Sequence, residues 1–115
     1  GLWETFKLID LNGGALVSGD VVNIRSINDS FMVAENGGGR EVKANRPTAA
    51  EWERFTIIRT GGSGAIRHGD TISLRASNGQ YVVAENGGGR EVNANRATIG
   101  PWERFTILNS ARCLP

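Results

Sequence analysis

The chain has 115 residues, 39% of them hydrophobic and 22% charged, with 13 Lys and Arg against 12 Asp and Glu for a net charge of +1. That length makes one domain with a modest core, and the even balance excludes both the basic footprint of a nucleic-acid binder and an acidic tail. No apolar run nears the roughly 20 residues of a membrane helix, and one His68 with one Cys113 cannot assemble a His/Cys metal cluster within the chain.

Helical periodicity is absent, and short β-rich runs bounded by Gly, Asn and Asp follow one another. They predict strands at 4–9, 21–27, 31–36, 41–46, 53–59, 71–77, 81–86, 91–96 and 103–108. Trp3-Glu4-Thr5-Phe6 opens the first run, Gly19-Asp20 precedes the second, and Asn36-Gly37-Gly38-Gly39-Arg40 links the third to the fourth. Trp52-Glu53-Arg54-Phe55 opens the fifth. The series then starts again with Gly69-Asp70 and ends on Trp102-Glu103-Arg104-Phe105. Residues 31–59 and 81–109 are identical at 20 of 29 positions, so the chain is built on a repeat of about 50 residues. Only Trp3 is out of step, by one residue, which a single loop insertion explains.

Alternation assigns faces to the strands. Phe55 and Ile57 share one side, and Trp52, Arg54 and Thr56 the other; Phe105 and Ile107 stand likewise against Trp102, Arg104 and Thr106. Val22, Ile24, Ile72 and Leu74 point inward, and Arg25 and Arg75 outward. The expected core is Phe6, Leu8, Phe55, Ile57, Phe105, Ile107, Ala34, Ala44, Ala84 and Ala94. The Asn-Gly-Gly-Gly-Arg segments at 36–40 and 86–90 read as hairpin turns, because Asn-Gly supplies positive φ without a steric penalty. No helix and no Gly-Lys-Ser/Thr follows them, as a phosphate cradle requires. Cys113 has no partner for an internal disulfide and is a spectator thiol or an intermolecular bridge.

An aromatic followed by Val-Ala-Glu-Asn-Gly-Gly-Gly, then Val-x-Ala-Asn-Arg, then Trp-Glu-x-Phe, resembles the fascin-like β-trefoil repeat. It is most similar to versions attached to polysaccharide-active enzymes, including a β-glucan-binding carbohydrate-binding module. The resemblance implies an all-β, β-trefoil-like fold in which each repeat gives four strands and three repeats close a six-stranded barrel capped by three hairpins. Residues 1–115 then form a single domain of about two and a quarter repeats, approximately 7–55 and 56–105, with 1–6 the end of a preceding one. About nine strands stand where about twelve are implied. Gly1-Leu2-Trp3 enters mid-motif, as in a fragment of a longer protein or in chains that complete one another as a homo-oligomer by exchanging strands.

Trp52 and Trp102 have two open roles: stacking an indole face on a sugar ring, or plugging the barrel rim. Trp3 carries the same motif. Glu4, Glu53 and Glu103 are acceptors for sugar hydroxyls, or structural carboxylates that take backbone N–H bonds or pair with Arg. The resemblance implies that Trp and Glu together make the sugar site. Glu35, Asn36, Arg40 and Arg46, with Glu85, Asn86, Arg90 and Arg96, form a second polar set, either ligand-binding or holding the loops. Tyr81 stands where the first copy has Phe31 and is a packing residue.

The Glu residues repeat with the fold rather than facing each other in unlike environments, which is the pattern of a binding site and not of a glycosidase. His68 is the only base for any Ser nucleophile, and its repeat partner is Ser18. The expectation is a non-catalytic, lectin-like module for polysaccharide or oligosaccharide, β-glucan above all, with no cofactor, no nucleic-acid partner and no membrane span. Its sites are weak singly and gain by avidity. It is extracellular and tethered to a glycoside-active enzyme. The rival expectation is a fascin-like module that binds or cross-links actin, or another protein-interaction domain.

Overall fold

Among the described residues nine strands form where the β-branched and aromatic runs stand. The computed structural model describes residues 6–26, 30–48, 50–84 and 92–107. In chain order the strands are β1 (Phe6–Asp10), β2 (Val21–Ser26), β3 (Phe31–Ala34), β4 (Val42–Arg46), β5 (Phe55–Arg59), β6 (Thr71–Arg75), β7 (Tyr81–Ala84), β8 (Val92–Arg96) and β9 (Phe105–Thr106). Each overlaps one of the predicted runs. Three single 3-10 turns, Glu35–Gly37, Glu51–Glu53 and Pro101–Glu103, take the ends of three of those runs. This corrects the runs at 31–36, 53–59 and 103–108: β3 stops at Ala34, β5 starts at Phe55 and β9 at Phe105.

All pairs are antiparallel and belong to one sheet, in the order β4-β3-β2-β5-β6-β7-β8, with β1 on β2 and β9 on β6. β1 covers one edge of β2 from Val22 to Ser26. The other edge is shared by β5, at Val21 and Val22, and β3, at Arg25. β6 divides its edge in the same way between β9 and β7. Val21↔Thr56 and Val22↔Phe55 reappear fifty positions on as Thr71↔Thr106 and Ile72↔Phe105, and Arg25↔Phe31 as Arg75↔Tyr81. Lys7↔Arg25 reappears as Thr56↔Arg75, with β1 offset by 49, so the single insertion read from Trp3 is also present in the ladder. The two ends of the path nearly close the sheet. Glu41 bridges Asn93, the Gly39 N–H donates to the Ala94 carbonyl at 2.7 Å, and the Ala94 N–H donates to that of Arg40 at 2.8 Å.

Val22, Ile24, Ala34, Phe55, Ile57, Ile66, Ile72, Ala76, Val82 and Ala94 form the core, with Leu8, Leu74, Phe105 and Ile107 packed half-buried against it. Complete burial of a side chain such as Phe55 contributes about 1.5–3 kcal/mol. Of the expected core, Ala84 is only half-buried, and the side chains of Phe6 and Ala44 lie outside those described. Arg25 is half-buried, with its guanidinium over the Phe31 ring, 5.3 Å from the centroid. In the hairpins both faces are covered: Val82 joins the core, while its neighbour Val83 is buried outside that cluster, as Val33 is in the first copy. A register shift falls between Tyr81 and Val83, and one between Phe31 and Met32 in the first copy.

The two copies differ in their neighbours. β5 lies between β2 and β6, and Phe55 and Ile57 are fully buried; β9 pairs only with β6 among the described residues, and Phe105 and Ile107 are half-buried. A second difference is electrostatic. Asp20 and Asp70 occupy equivalent turns, each accepting a backbone N–H three residues before it, from Val17 and Arg67. In one copy Arg59 donates from Nε to the Asp70 carboxylate at 3.2 Å. In the other, Asp10 stands where Arg59 would, so two carboxylates meet, and Asp10 Oδ2 is buried.

Burial first, and then the neighbouring Asp20, raise the pKa of Asp10 above its ordinary 3.8, whereas the Arg67 backbone N–H and then Arg59 lower that of Asp70. A raised folded-state pKa gives stability that is full below the unfolded value and lost as pH rises; a lowered one gives stability lost on acidification. Asp10→Asn is therefore expected to be more stable than the parent protein at pH 7, with the gap closing as pH falls below about 4. Thermal unfolding across that range checks this, and an Asp10→Asn protein less stable at pH 7 than at pH 3, relative to the parent, contradicts it.

Candidate functional site

Between β4 and β5 the chain must turn sharply, and the Glu51–Glu53 turn does this with its own side chain. The Glu53 carboxylate accepts the Ala50 N–H through Oε1, while the Glu53 N–H donates to the Ala50 carbonyl at 3.2 Å. This is the carboxylate half of a capping box, closing on the residue that precedes the turn. The second copy repeats it: the Gly100 N–H donates to Glu103 Oε1 at 2.6 Å, and the Glu103 N–H to the Gly100 carbonyl at 3.2 Å. Pro101 begins that turn, where its missing N–H goes unneeded and its φ is already set.

Both carboxylates are buried, at 4% exposure for Glu53 and 6% for Glu103, and both have an arginine beside them. Arg46 Nε lies 4.0 Å from Glu53 Oε2, and its Nη2 donates to Glu35 Oε1 at 2.9 Å. Arg96 Nε lies 3.9 Å from Glu103 Oε2. Each guanidinium is also held by the preceding residue, Nη1 donating at 2.7 Å to Asn45 Oδ1 and Asn95 Oδ1 respectively. An ion left unpaired at such burial costs several kcal/mol, so Arg and Glu require each other.

With about three residues per turn, a 3-10 helix sends neighbouring side chains in directions roughly 120° apart. Glu53 goes in and Trp52 goes out; Glu103 and Trp102 do the same. The outward direction expected for Trp52 and Trp102 from strand parity thus arises from the turn, since neither residue is in a strand. The indoles are 40% and 41% exposed. Trp52 rests its Cδ1–Nε1 edge on Gly37, where a Cβ would stand 3.3 Å from Cδ1. Gly37 has φ of +77°, and its carbonyl accepts the Asn78 N–H at 2.9 Å, which docks the first hairpin on the β6–β7 turn.

A shallow open hollow lies beside each indole. One of about 180 Å³ is lined by Ala50, Glu51, Trp52 and Glu53. One of about 320 Å³ is lined by Arg96, Thr98, Gly100, Pro101, Trp102 and Glu103. Of the residues expected to bind ligand, the structure gathers Trp52, Glu53, Arg46 and Glu35 in the first copy, and Trp102, Glu103 and Arg96 in the second. Arg40 is apart from these contacts, exposed and 3.4 Å from Glu41. Trp3, Glu4, Glu85, Asn86, Arg90 and the side chain of Asn36 lie outside the described residues.

Sequence reasoning passed over Asn23, whose Nδ2 donates at 2.8 Å to the Glu53 carbonyl from inside the core. Its signal was a polar residue between two inward-facing β-branched ones. Ser73 takes its place in the second copy, and its buried Oγ makes no hydrogen bond among the described residues. Ser18, the repeat partner of His68, accepts the Arg59 N–H at 2.9 Å and so serves the backbone. Among the described residues no three of His, Cys, Asp and Glu gather as metal ligands, and no helix is long and apolar enough to cross a membrane.

Compared with models of protein families and with curated proteins, the chain matches none.

The geometry separates the two halves of the Trp-Glu motif. Glu53→Ala leaves the Ala50 N–H without its acceptor and is expected to lose about 1–3 kcal/mol of stability. Glu53→Gln keeps an amide oxygen in the same place and should lose less. Urea denaturation of both variants checks the ordering, and equal midpoints would show that the carboxylate does not hold the turn.

Proposed function

We propose that this chain is a fascin-like β-trefoil unit that binds polysaccharide without catalysis, with β-glucan as its ligand class. The observation that carries the reading is the pair of half-exposed indoles, each presented over a hollow by the same carboxylate-locked turn. A flat apolar ring with a polar edge suits the axial C–H face of a pyranose. Turn N–H groups and buried carboxylates are already partnered, so the protein offers a preformed surface and not a reactive centre. In this reading Trp52 and Trp102 stack on the sugar, while Glu53, Glu103, Arg46 and Arg96 hold the surface in place and meet hydroxyls at its edge. Two weak sites on one particle gain by avidity on a polymer. An extracellular location, beside an enzyme acting on the same polymer, follows from that ligand.

The sheet supports the trefoil part of the reading. β2 lies between β1 and β5, and β6 between β5 and β9, while β3–β4 and β7–β8 are hairpins reached from β2 and β6. In a barrel of six strands and three hairpins these are five strands and two hairpins. A strand of β2 type then belongs between β9 and β1, supplied by a further repeat or by another copy.

Affinity electrophoresis through gels containing β-1,3-glucan, β-1,6-glucan, galactan or no polymer tests the binding. The chain is expected to be retarded in one glucan, and a Trp52→Ala/Trp102→Ala double variant to run free while still folded. Retardation that survives the double substitution refutes the site. Light scattering tests completion between copies, which predicts a species larger than the 12.3 kDa chain at high concentration; a strict monomer sinks that part.

A further inference from the structure

The two hollows share most of their chemistry. Arg46 and Arg96, Thr48 and Thr98, Glu53 and Glu103, and Arg54 and Arg104 are pairs of the same residue. The position at the start of the turn is different in charge: Glu51 in the first copy and Pro101 in the second. Both line their hollows and both are exposed. Beside Trp52 the rim therefore carries a solvated carboxylate. Beside Trp102 the rim is a proline ring. Among the described residues the second hollow has no acidic lining residue except Glu103, which is buried and accepts the Gly100 N–H.

From this difference we infer that residue 51/101 sets the charge specificity of the two sites. The Trp52 hollow disfavours sugars bearing a carboxylate, such as the uronic acid units of an acidic polysaccharide, and the Trp102 hollow admits them as readily as neutral ones. The inference rests on the sugar-binding reading. A uronate beside Trp52 meets a like charge at the solvated rim; beside Trp102 it meets an apolar ring. One exposed charge changes affinity by about 1.5- to fivefold at low salt, and less as the Debye length shrinks from about 10 Å at 0.1 M to 3 Å at 1 M. Proline also adds apolar area next to the indole, so the Trp102 hollow keeps its hold on a neutral ring.

The test compares β-1,3-gluco-oligosaccharides before and after oxidation of their C6 hydroxymethyl groups to carboxylates. Calorimetry uses proteins with one of the two hollow indoles left, Trp102→Ala for the first hollow and Trp52→Ala for the second. The first is expected to bind the oxidised chain more weakly than the neutral one, by up to about fivefold at low salt, and the second to bind both alike. Adding Glu51→Gln should remove the discrimination at Trp52, and Pro101→Glu should create it at Trp102, both effects fading at 1 M salt. The indole N–H resonances of Trp52 and Trp102 in the unmutated protein read the two hollows without truncating either. Neutral chains bound at both indoles with the same oxidised-to-neutral ratio would overturn the charge assignment and leave the sugar reading standing. Neutral chains that move neither indole would overturn both.

Discussion

The buried carboxylate at the foot of each 3-10 turn is the constraint on which the rest depends. Glu53 and Glu103 accept the N–H of the residue before the turn, and this one bond reverses the chain within three residues. Phe55 and Phe105 then enter the sheet at the register of Val22 and Ile72, and the tryptophan between is left outside. A carboxylate so placed needs a cation, so Arg46 and Arg96 are drawn from the ends of β4 and β8. The hairpin, the turn and the sheet strand of each copy are tied together at one point. A polar cluster of this kind makes few kilocalories of net stability but permits one arrangement only, because every alternative strands a charge.

The nine strands were legible because β-branched residues and turn residues alternate at regular intervals, and because each run occurs at least twice. The place of the indoles was legible for the wrong reason. Strand parity put Trp52 outward with Arg54, but the backbone there is a helical turn, and only the Glu that closes the turn distinguishes the two conformations. That signal, a carboxylate three residues after a small residue, is a capping pattern, and of the two roles open to Glu53 and Glu103 it is the structural one, taking a backbone N–H beside an arginine. Val83 escaped because it is buried outside the main cluster, which its neighbour Val82 joins. Ile66 escaped because it lies in no strand, yet its N–H reaches the Leu16 carbonyl at 2.9 Å and its side chain joins the core.

Duplication gives the molecule internal comparisons in which surroundings are held nearly constant. Asn23 and Ser73 stand at one position, and only the longer side chain reaches the turn carbonyl. Arg59 and Asp10 stand at another, one neutralising its aspartate and the other repelling it. In each pair one copy keeps a bond that the other has lost, and in neither does the lost bond dissolve the strand. Backbone pairing and apolar burial therefore carry the architecture, and these polar contacts adjust it locally. Glu51 and Pro101 differ within the same frame, where a change at the rim leaves the turn beneath intact.

The contact between Gly37 and Trp52 joins a hairpin to an indole through bare backbone. Most exposed aromatic side chains keep several rotamers, and a ligand that uses them must freeze that motion at the moment of contact. Here the freezing is done when the first hairpin docks on the β6–β7 turn, through the Asn78 N–H and the Gly37 carbonyl. The indole is stationed by folding, and the entropy of ordering it is charged to the protein's own stability. The edge that rests on Gly37 is thereby tied to the same hydrogen bond that holds the hairpin, so loosening that bond would free the ring as well.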